Sequence, residues 1–408
     1  MPTALGSNLQ KAKVANQVAI KRMTYFYGPI TRLEITNALN LTLPTITTNV
    51  NSMIQAGIIR ETDEKISQLG GAGRKSRPIE IVPQSRYFIG TEIKKKYRIA
   101  VLTDYKGNIL AEEKNLAYID DYEGVIEDAA ALILNLLSTG SIDRHRILGI
   151  GVALPGIVDP ERGILLNMLK WEWKNRNITE DISRLTGFEG KVSVENDAIA
   201  RAISASLFDR KRLDNFKYYA YLYVSDGISC PLMNNSPDLV TRALGPGELG
   251  YTIIGSNLPE GKHGPMGTTS NLAGQRAILE AAAAAAEAGD CPELNSIMNT
   301  KKLTIDDLIQ AQRNGSKAIG SILKKAVEYL GISIANVDNI FRPDCFLVEC
   351  PYFKNDENRI AFIYELEKHL FRPDGQNIDI IFVDPSDATG AVGAAAVAIQ
   401  RDLGEYIE

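Results

Sequence analysis

The sequence predicts an α/β protein with a small, separate N-terminal head. Three observations carry this. The first 86 residues hold eleven Lys and Arg against five Asp and Glu, a balance of +6, inside a chain whose net charge is −5. Helical periodicity fills that basic segment, whereas short β-rich runs alternate with amphipathic helices from Tyr87 onward. The length of 408 residues suits two or three domains, and 45% hydrophobic with 23% charged residues is an ordinary globular balance. That composition excludes a disordered, collagenous or disulfide-scaffold chain.

In the head, residues 16–27 place Ala19, Met23 and Phe26 on one helical stripe. A second short helix is expected over 31–39. Thr42 then caps a third, with Pro44 in a first turn that needs no amide donor. Ile46, Val50, Met53 and Ile54 form its apolar stripe, and Gly57 ends it. The polar residues Thr45, Thr47, Thr48, Asn49, Asn51 and Ser52 are expected on the opposite face. Short polar side chains let a helix lie close to base edges, where Asn pairs with adenine and the Thr methyl meets thymine. Ile58–Ile59 and Ile79–Ile81 read as the two strands of a wing. Between them Gly70, Gly71 and Gly73 lead to Arg74, Lys75 and Arg77, a cluster suited to a minor groove. Residues 1–86 are therefore expected to be a winged helix-turn-helix domain that binds double-stranded DNA. The third helix has no Lys or Arg, so phosphate affinity falls to the wing.

Beyond the head the balance is −11. Strands are expected at 87–93, 97–103 and 108–114, then a helix at 122–138, then a buried strand running into "ALPGIVD". Antiparallel strands, a helix and a further strand open a ribonuclease-H-like lobe. Later strands at about 191–195, 218–224, 345–349 and 378–383 alternate with helices. The long amphipathic segment 316–340 is expected in the core or at a subunit interface, and Ala281–Ala286 on a helix. A small lobe is expected over 87–195, completed by a C-terminal helix at 389–408, with a large lobe over 196–388.

Chemistry-bearing residues follow the strands, where α/β sites gather. They are Gly156 in "LPGIVDP", Asn196 and Asp197 in "ENDAIARA", and Glu248 in "GPGELGY". An Asp after a strand serves as general base toward a hydroxyl, and an adjacent Asn orients that hydroxyl. Cys230, Cys291, Cys345 and Cys350 form no CxxC pair, so buried reduced thiols are expected. No apolar run approaches the ~18–20 residues of a membrane helix, and the N-terminus lacks a signal-peptide core. A cytoplasmic chain without a membrane partner is expected.

These residues together resemble the ROK family of repressors and sugar kinases over nearly the whole chain. The resemblance rests on the winged helix, "GIGVALPGIVDPERG", Trp171, "VENDAIARA", "GPGELGY" and "ATGAVGAAAVA". It implies a two-lobed body of the actin and sugar-kinase type. It implies that Asp197 occupies the catalytic-base position and that Asn196 and Glu248 occupy sugar-contact positions. The departures are specific. The family's phosphate-cradling Asp-Ile-Gly-Gly-Thr is Glu92-Ile93-Lys94-Lys95-Lys96 here, so side chains stand where bare backbone is needed. The second phosphate loop keeps only Gly227, and the adenosine-side glycines are Glu349 and Cys350. At the family's zinc ligands stand Tyr251, Gly261, His263 and Thr268. One imidazole does not make a tetrahedral site, so no zinc is expected. The motif's last Glu is Ser270, which alters a second sugar contact alongside Tyr251.

The expectation is therefore a DNA-binding repressor of carbohydrate-utilisation genes, with no catalytic residue at work and Asp197 a vestigial base. A sugar-like effector would bind at Gly156, Asn196, Asp197, Glu248, Tyr251 and Ser270. No metal and no other cofactor is expected, and a homodimer or homotetramer would pair the heads. Two alternatives stand beside it: an active sugar kinase with an accessory head, and a DNA-binding protein whose body only dimerises.

Overall fold

A computed structural model of the chain describes residues 4–63, 77–140, 142–235, 243, 247–255, 266–373, 375 and 377–404, with side chains from residue 12. The chain divides into two compact units. The first holds residues 1–215, 235–242 and 386–408, and the second 216–234 and 243–385.

The first unit opens with α1 (Ala4–Tyr27), α2 (Arg32–Leu39) and α3 (Leu43–Gln55). A reciprocal cap starts α2: the Glu34 amide donates to Thr31 Oγ1 at 3.2 Å, and the Thr31 amide to Glu34 Oε2 at 2.7 Å. Asn40 turns into the left-handed region at φ 51° to end it. Thr42 caps α3 by accepting from the Thr45 amide, and Ile46, Val50 and Met53 are buried. Gly57, at φ +69°, turns the chain into β1 (Ile59–Glu61), which pairs antiparallel with β2 (Ile79–Ile81). This is the expected winged helix-turn-helix, with α1 much longer than its periodicity indicated.

The body of this unit is a five-stranded sheet in the order β10–β6–β3–β4–β5. The strands are β3 (Tyr87–Lys94), β4 (Tyr97–Asp104), β5 (Ile109–Asn115), β6 (Ile147–Leu154) and β10 (Lys191–Asn196). Helix α4 (Tyr122–Leu137) lies between β5 and β6 in the chain. A three-stranded sheet of β7 (Ile157–Asp159), β8 (Ile164–Met168) and β9 (Trp173–Asn177) and helix α5 (Ile178–Thr186) precede β10. Helices α6 (Asp197–Phe208) and α7 (Arg210–Leu213) follow it.

The C-terminal helix, Thr389–Leu403, packs on this sheet. Seven of its ten buried residues are Ala or Gly, so its backbone sits directly on the strands. A Cβ on Gly90 of β3 would stand 2.8 Å from the Ala395 methyl, and one on Gly151 of β6 would stand 2.6 Å from the Ala394 carbonyl carbon. Helix α6 packs beside it, with Gly393 against the Ala200 backbone. That packing corrects the expected break at 195/196. The first unit continues through α6 and α7, and the division falls after residue 215.

The second unit is built on a sheet ordered β12–β11–β14–β15, with β13 also on β11. Its strands are β11 (Tyr218–Val224), β12 (Ile228–Ser229), β13 (Leu232–Asn234), β14 (Cys345–Glu349) and β15 (Asp379–Phe382). Its helices are α8 (Thr269–Ala273), α9 (Gln275–Glu287), α10 (Glu293–Met298), α11 (Ile305–Arg313), α12 (Lys317–Phe341) and α13 (Asp356–His369). β11, β14 and β15 run parallel, and Leu222, Phe346 and Val348 share one core with Leu323, Leu330 and Phe362. All four cysteines are free and buried. Burial pushes the Cys230 and Cys345 thiols up to about 12, which makes them poor nucleophiles. Among the described residues, no helix is long and apolar enough to cross a membrane.

Candidate functional sites

The head presents the outward face of α3. Thr48, Asn51 and Ser52 are exposed, and Thr45 and Thr47 are half-buried. Thr48 donates its hydroxyl to the Pro44 carbonyl at 2.9 Å, and Thr45 shares a hydrogen with Thr42 at 2.9 Å. Asn51 accepts from Arg32 at 3.4 Å, and Arg32 also pairs with Glu61 of the wing at 2.8 Å. Helix α2, helix α3 and the wing are thus tied through one guanidinium.

Asn49 departs from expectation. Its side chain is only 6% exposed and donates to the Thr45 carbonyl at 2.8 Å. It lies three residues after Ile46 and four before Met53, which places it on the buried stripe at 100° per residue. Its polar identity had suggested the outward face. Arg77 stands exposed just before β2, 3.8 Å from Glu61. Arg74 and Lys75 lie outside the described residues.

The head is joined to the sheet of its own unit by an ionic hub that the sequence did not disclose. Lys21 of α1 is fully buried and pairs with Asp402 at 3.3 Å, and it also donates to the Asp402 carbonyl. Arg86 and the Tyr105 hydroxyl bond the same carboxylate. Arg22 donates to the Leu403 carbonyl at 3.2 Å, and Tyr25 to the Tyr105 carbonyl at 3.0 Å. Lys106 donates to the Tyr25 carbonyl at 2.8 Å, and burial lowers its ammonium to about 8. Burial and the Asp402 charge hold the Tyr105 phenol well above its usual range.

In the body, the strand ends bring Gly156, Asn196 and Asp197 together. Asn196 caps α6 with its carboxamide oxygen and donates from Nδ2 to the Gly156 carbonyl at 2.9 Å. Asp197 is buried, and its carboxylate is ion-paired with the Lys94 ammonium. Lys94 also stands 3.9 Å from Glu92, which pairs with the buried Arg201 at 2.8 Å. The Glu92 carboxylate crowds Gly390 at the start of the C-terminal helix, where a helix N-terminus favours negative charge. Lys95 turns away, bonding Asp120 at 2.7 Å and facing the Trp171 and Trp173 rings.

Glu195, one residue before Asn196, is the ionisable group that sequence reading passed over. Burial raises its carboxyl from 4.5 to about 7, against the Asn196 amide at 2.8 Å and the Arg401 charge. The folded chain therefore holds a proton here between those values that the unfolded chain has released. The stability linked to Glu195 is full below about 4.5 and is lost as pH rises toward 7. Glu195→Gln is expected to flatten that window and to raise stability at pH 8 by roughly 1–2 kcal/mol, after allowing for partial exposure. Thermal melts at pH 5 and pH 8 check this.

Glu248, Tyr251 and Ser270 lie in the second unit. The Tyr251 amide donates to the Glu248 carbonyl at 3.1 Å, closing a tight turn. Ser270 Oγ accepts from the Ile228 amide at 3.2 Å and crowds Gly250, so it adjoins that turn. Tyr251 is half-exposed, and its phenol is raised by burial and then by Glu248. The three are therefore neighbours. Gly261 and His263 lie outside the described residues, and Thr268 is buried. Glu349 is buried and accepts from the Tyr221 hydroxyl at 2.6 Å, so a side-chain pair fills its place.

Known proteins resemble the chain in sequence and in fold. The profile of the ROK family matches residues 89–401. The xylose repressor of Caldicellulosiruptor bescii is 24% identical over 320 residues, 78% of each chain. The xylose repressor of Bacillus subtilis is 22% identical over 395 residues, 96% of each chain. The DNA-binding transcriptional repressor Mlc of Escherichia coli is 22% identical over 351 residues, 85% of this chain and 83% of that one. Among solved structures, a ROK family transcriptional regulator that is a homolog of the E. coli protein MLC aligns with a TM-score of 0.79. It is 22% identical and covers 96% of this chain and 97% of that one. The ROK family glucokinase of Streptomyces griseus, solved with glucose and AMPPNP, aligns at 0.65 with 20% identity, over 77% of this chain and 99% of that one. With the matched profile spanning both units, the chain belongs to the ROK family.

Proposed function

We propose that the chain is a sequence-specific DNA-binding transcriptional repressor of carbohydrate-utilisation genes, acting in the cytoplasm. The observation that carries this reading is the head, a capped helix-turn-helix whose second helix turns exposed Thr48, Asn51 and Ser52 outward beside a two-stranded wing. The relatives named as repressors, aligned over up to 96% of the chain, support it. Asn51→Ala and Ser52→Ala are each expected to weaken binding to the preferred site by ~10- to 100-fold, the worth of a good base contact. Their melting temperatures should stay unchanged. Fluorescence anisotropy against preferred and scrambled duplexes checks this. Equal losses on both duplexes would remove these residues from base readout.

The body, on this proposal, senses a sugar-like effector at Gly156, Asn196, Asp197, Glu248, Tyr251 and Ser270. It requires no zinc and does not phosphorylate its ligand. The support is the Lys94–Asp197 ion pair. A general base must be free to take a hydroxyl proton, and this one is bonded to a half-buried ammonium rooted where a phosphate loop would need glycine. A ligand hydroxyl at Asp197 must share or displace Lys94. Asp197 begins α6, which packs on the C-terminal helix, whose far end holds Lys21 of the head. Ligand-dependent settling of that stack is a route by which occupancy biases the head. A sugar-panel thermal shift tests sensing, and a coupled ADP-release assay tests turnover. Turnover that vanishes in Asp197→Asn would contradict the proposal.

A further inference from the structure

An aromatic cluster in the first unit adjoins the effector residues there and is left without a role by them. The chain has two tryptophans, and both belong to it. Trp171 and Trp173 meet edge to face with centroids 4.8 Å apart, and Trp173 in turn meets Tyr122 at 5.0 Å. Trp173 is buried, whereas Trp171 is partly exposed between the exposed Lys170 and Glu172. The Lys95 ammonium stands 5.9 Å and 5.8 Å from the two indole centroids. Lys95 donates to Asp120 Oδ1 at 2.7 Å, and the Tyr118 hydroxyl donates to the same oxygen at 3.0 Å.

Two links set this cluster beside Gly156, Asn196 and Asp197. Lys94 pairs with Asp197, while Lys95, the next residue, lies over the indoles, so one dipeptide serves both places. Met168 is the second link. It lies directly opposite Trp173 of β9, and a Cβ on Gly156 would stand 3.2 Å from the Met168 Cβ. The Gly156 carbonyl in turn accepts from Asn196. The indoles are therefore one residue removed from the effector residues along two separate paths.

The chemistry of the cluster selects its ligand. A pyranose ring has an apolar face of C–H bonds and a rim of hydroxyls. Its complement is an aromatic face with a few donors and acceptors placed beside it. Trp171 supplies the face, the Lys95 ammonium can donate to a hydroxyl, and the Asp120 carboxylate can accept from one. The side chain of Asp120 is 75% exposed, so its ion pair with Lys95 is cheap to open for a ligand. The two charges cancel, which favours a neutral ring over an anion. An indole needed only for packing would be covered, as that of Trp173 is.

We infer that Trp171, Lys95 and Asp120 form a subsite that stacks the second ring of a neutral oligosaccharide whose first ring lies at Asn196 and Asp197. This subsite rests on the sugar-sensing reading, and within that reading the effector is a disaccharide or longer.

Because both tryptophans lie in the cluster, all indole emission of the chain reports on it. The full chain is titrated with glucose, xylose, maltose, cellobiose and xylobiose, read by tryptophan fluorescence and by calorimetry. At least one disaccharide is expected to bind about tenfold or more tighter than its own monosaccharide and to change the indole emission. Trp171→Ala should bring that ratio close to one, and Trp171→Phe should restore part of it. Asp120→Ala, at an exposed position, should lower the ratio by about threefold or more, and it carries the test if circular dichroism shows Trp171→Ala to be unfolded. Asn196→Ala should abolish binding of both sugars. Monosaccharide binding without a disaccharide preference would overturn the subsite and leave the sensing reading standing. So would a preference that survives Trp171→Ala and Asp120→Ala. No binding by any of the five sugars would overturn both.

Discussion

Asp402→Asn is expected to destabilise the first unit by roughly 3–5 kcal/mol, the usual cost of removing one partner of a buried ion pair. Lys21 has no exposed side-chain surface, and Arg86 and Asp402 are 11% and 14% exposed, so solvent cannot take over from the lost charge. The Arg86 and Tyr105 donors, each on its own carboxylate oxygen, are left to share the single amide oxygen that remains. The loss has a particular address. These contacts join α1 of the head to the end of the C-terminal helix, so the variant should loosen the head before it unfolds the sheet. Limited proteolysis should release residues within 1–86 early, and the melting temperature should fall by several degrees. The double variant Lys21→Met with Asp402→Asn also removes the buried ammonium and should recover part of the loss, the remainder being the cost of the Arg86 guanidinium left without its carboxylate. A single variant as stable as wild type would mean that the hub contributes nothing.

Gly151→Ala is the second large effect, expected at 3 kcal/mol or more, at the upper end of overpacking costs. The new methyl would overlap the Ala394 carbonyl, and the obstacle is helix backbone rather than a side chain that could rotate away. The C-terminal helix must lift from the sheet or the strand must bow. Gly149→Ala, on the same strand, meets its nearest neighbour, the Ala398 methyl, at 3.3 Å, and should cost under about 1 kcal/mol. Chemical denaturation of the two variants side by side checks both the size and the contrast. Equal effects would show that the close seating of helix on sheet is not what fixes Gly151.

Much of this architecture was legible because its signals are local. Thr42, Pro44 and Gly57 punctuate the head, and short β-rich runs mark β3, β4 and β5 to within a residue or two. Asn196 and Asp197 were legible as a pair because they sit at the junction of β10 and α6. What escaped depends on chain separation. Lys21 and Asp402 lie 381 residues apart, and Lys94 and Asp197 lie 103 apart, so no window holds both partners. The break after residue 215 was hidden for the same reason, because α6 belongs with a helix that arrives near the C-terminus. The small sheet of β7, β8 and β9 was missed because its strands are only three to five residues long, with an irregular register. Asn49 is the reverse case. Its spacing already placed it with Ile46 and Met53, and residue type outweighed period in the reading.

The most direct test of the central claim is selective DNA binding by the full chain. Duplexes enriched from a random pool and scrambled versions of them are titrated at about 150 mM salt, where non-specific affinity is already weak. The account predicts a preference of at least about 10³-fold for the enriched site, in the range of specific regulators, with binding weakening as salt rises. Enriched and scrambled duplexes bound within about tenfold of each other, or no binding to either, would contradict it.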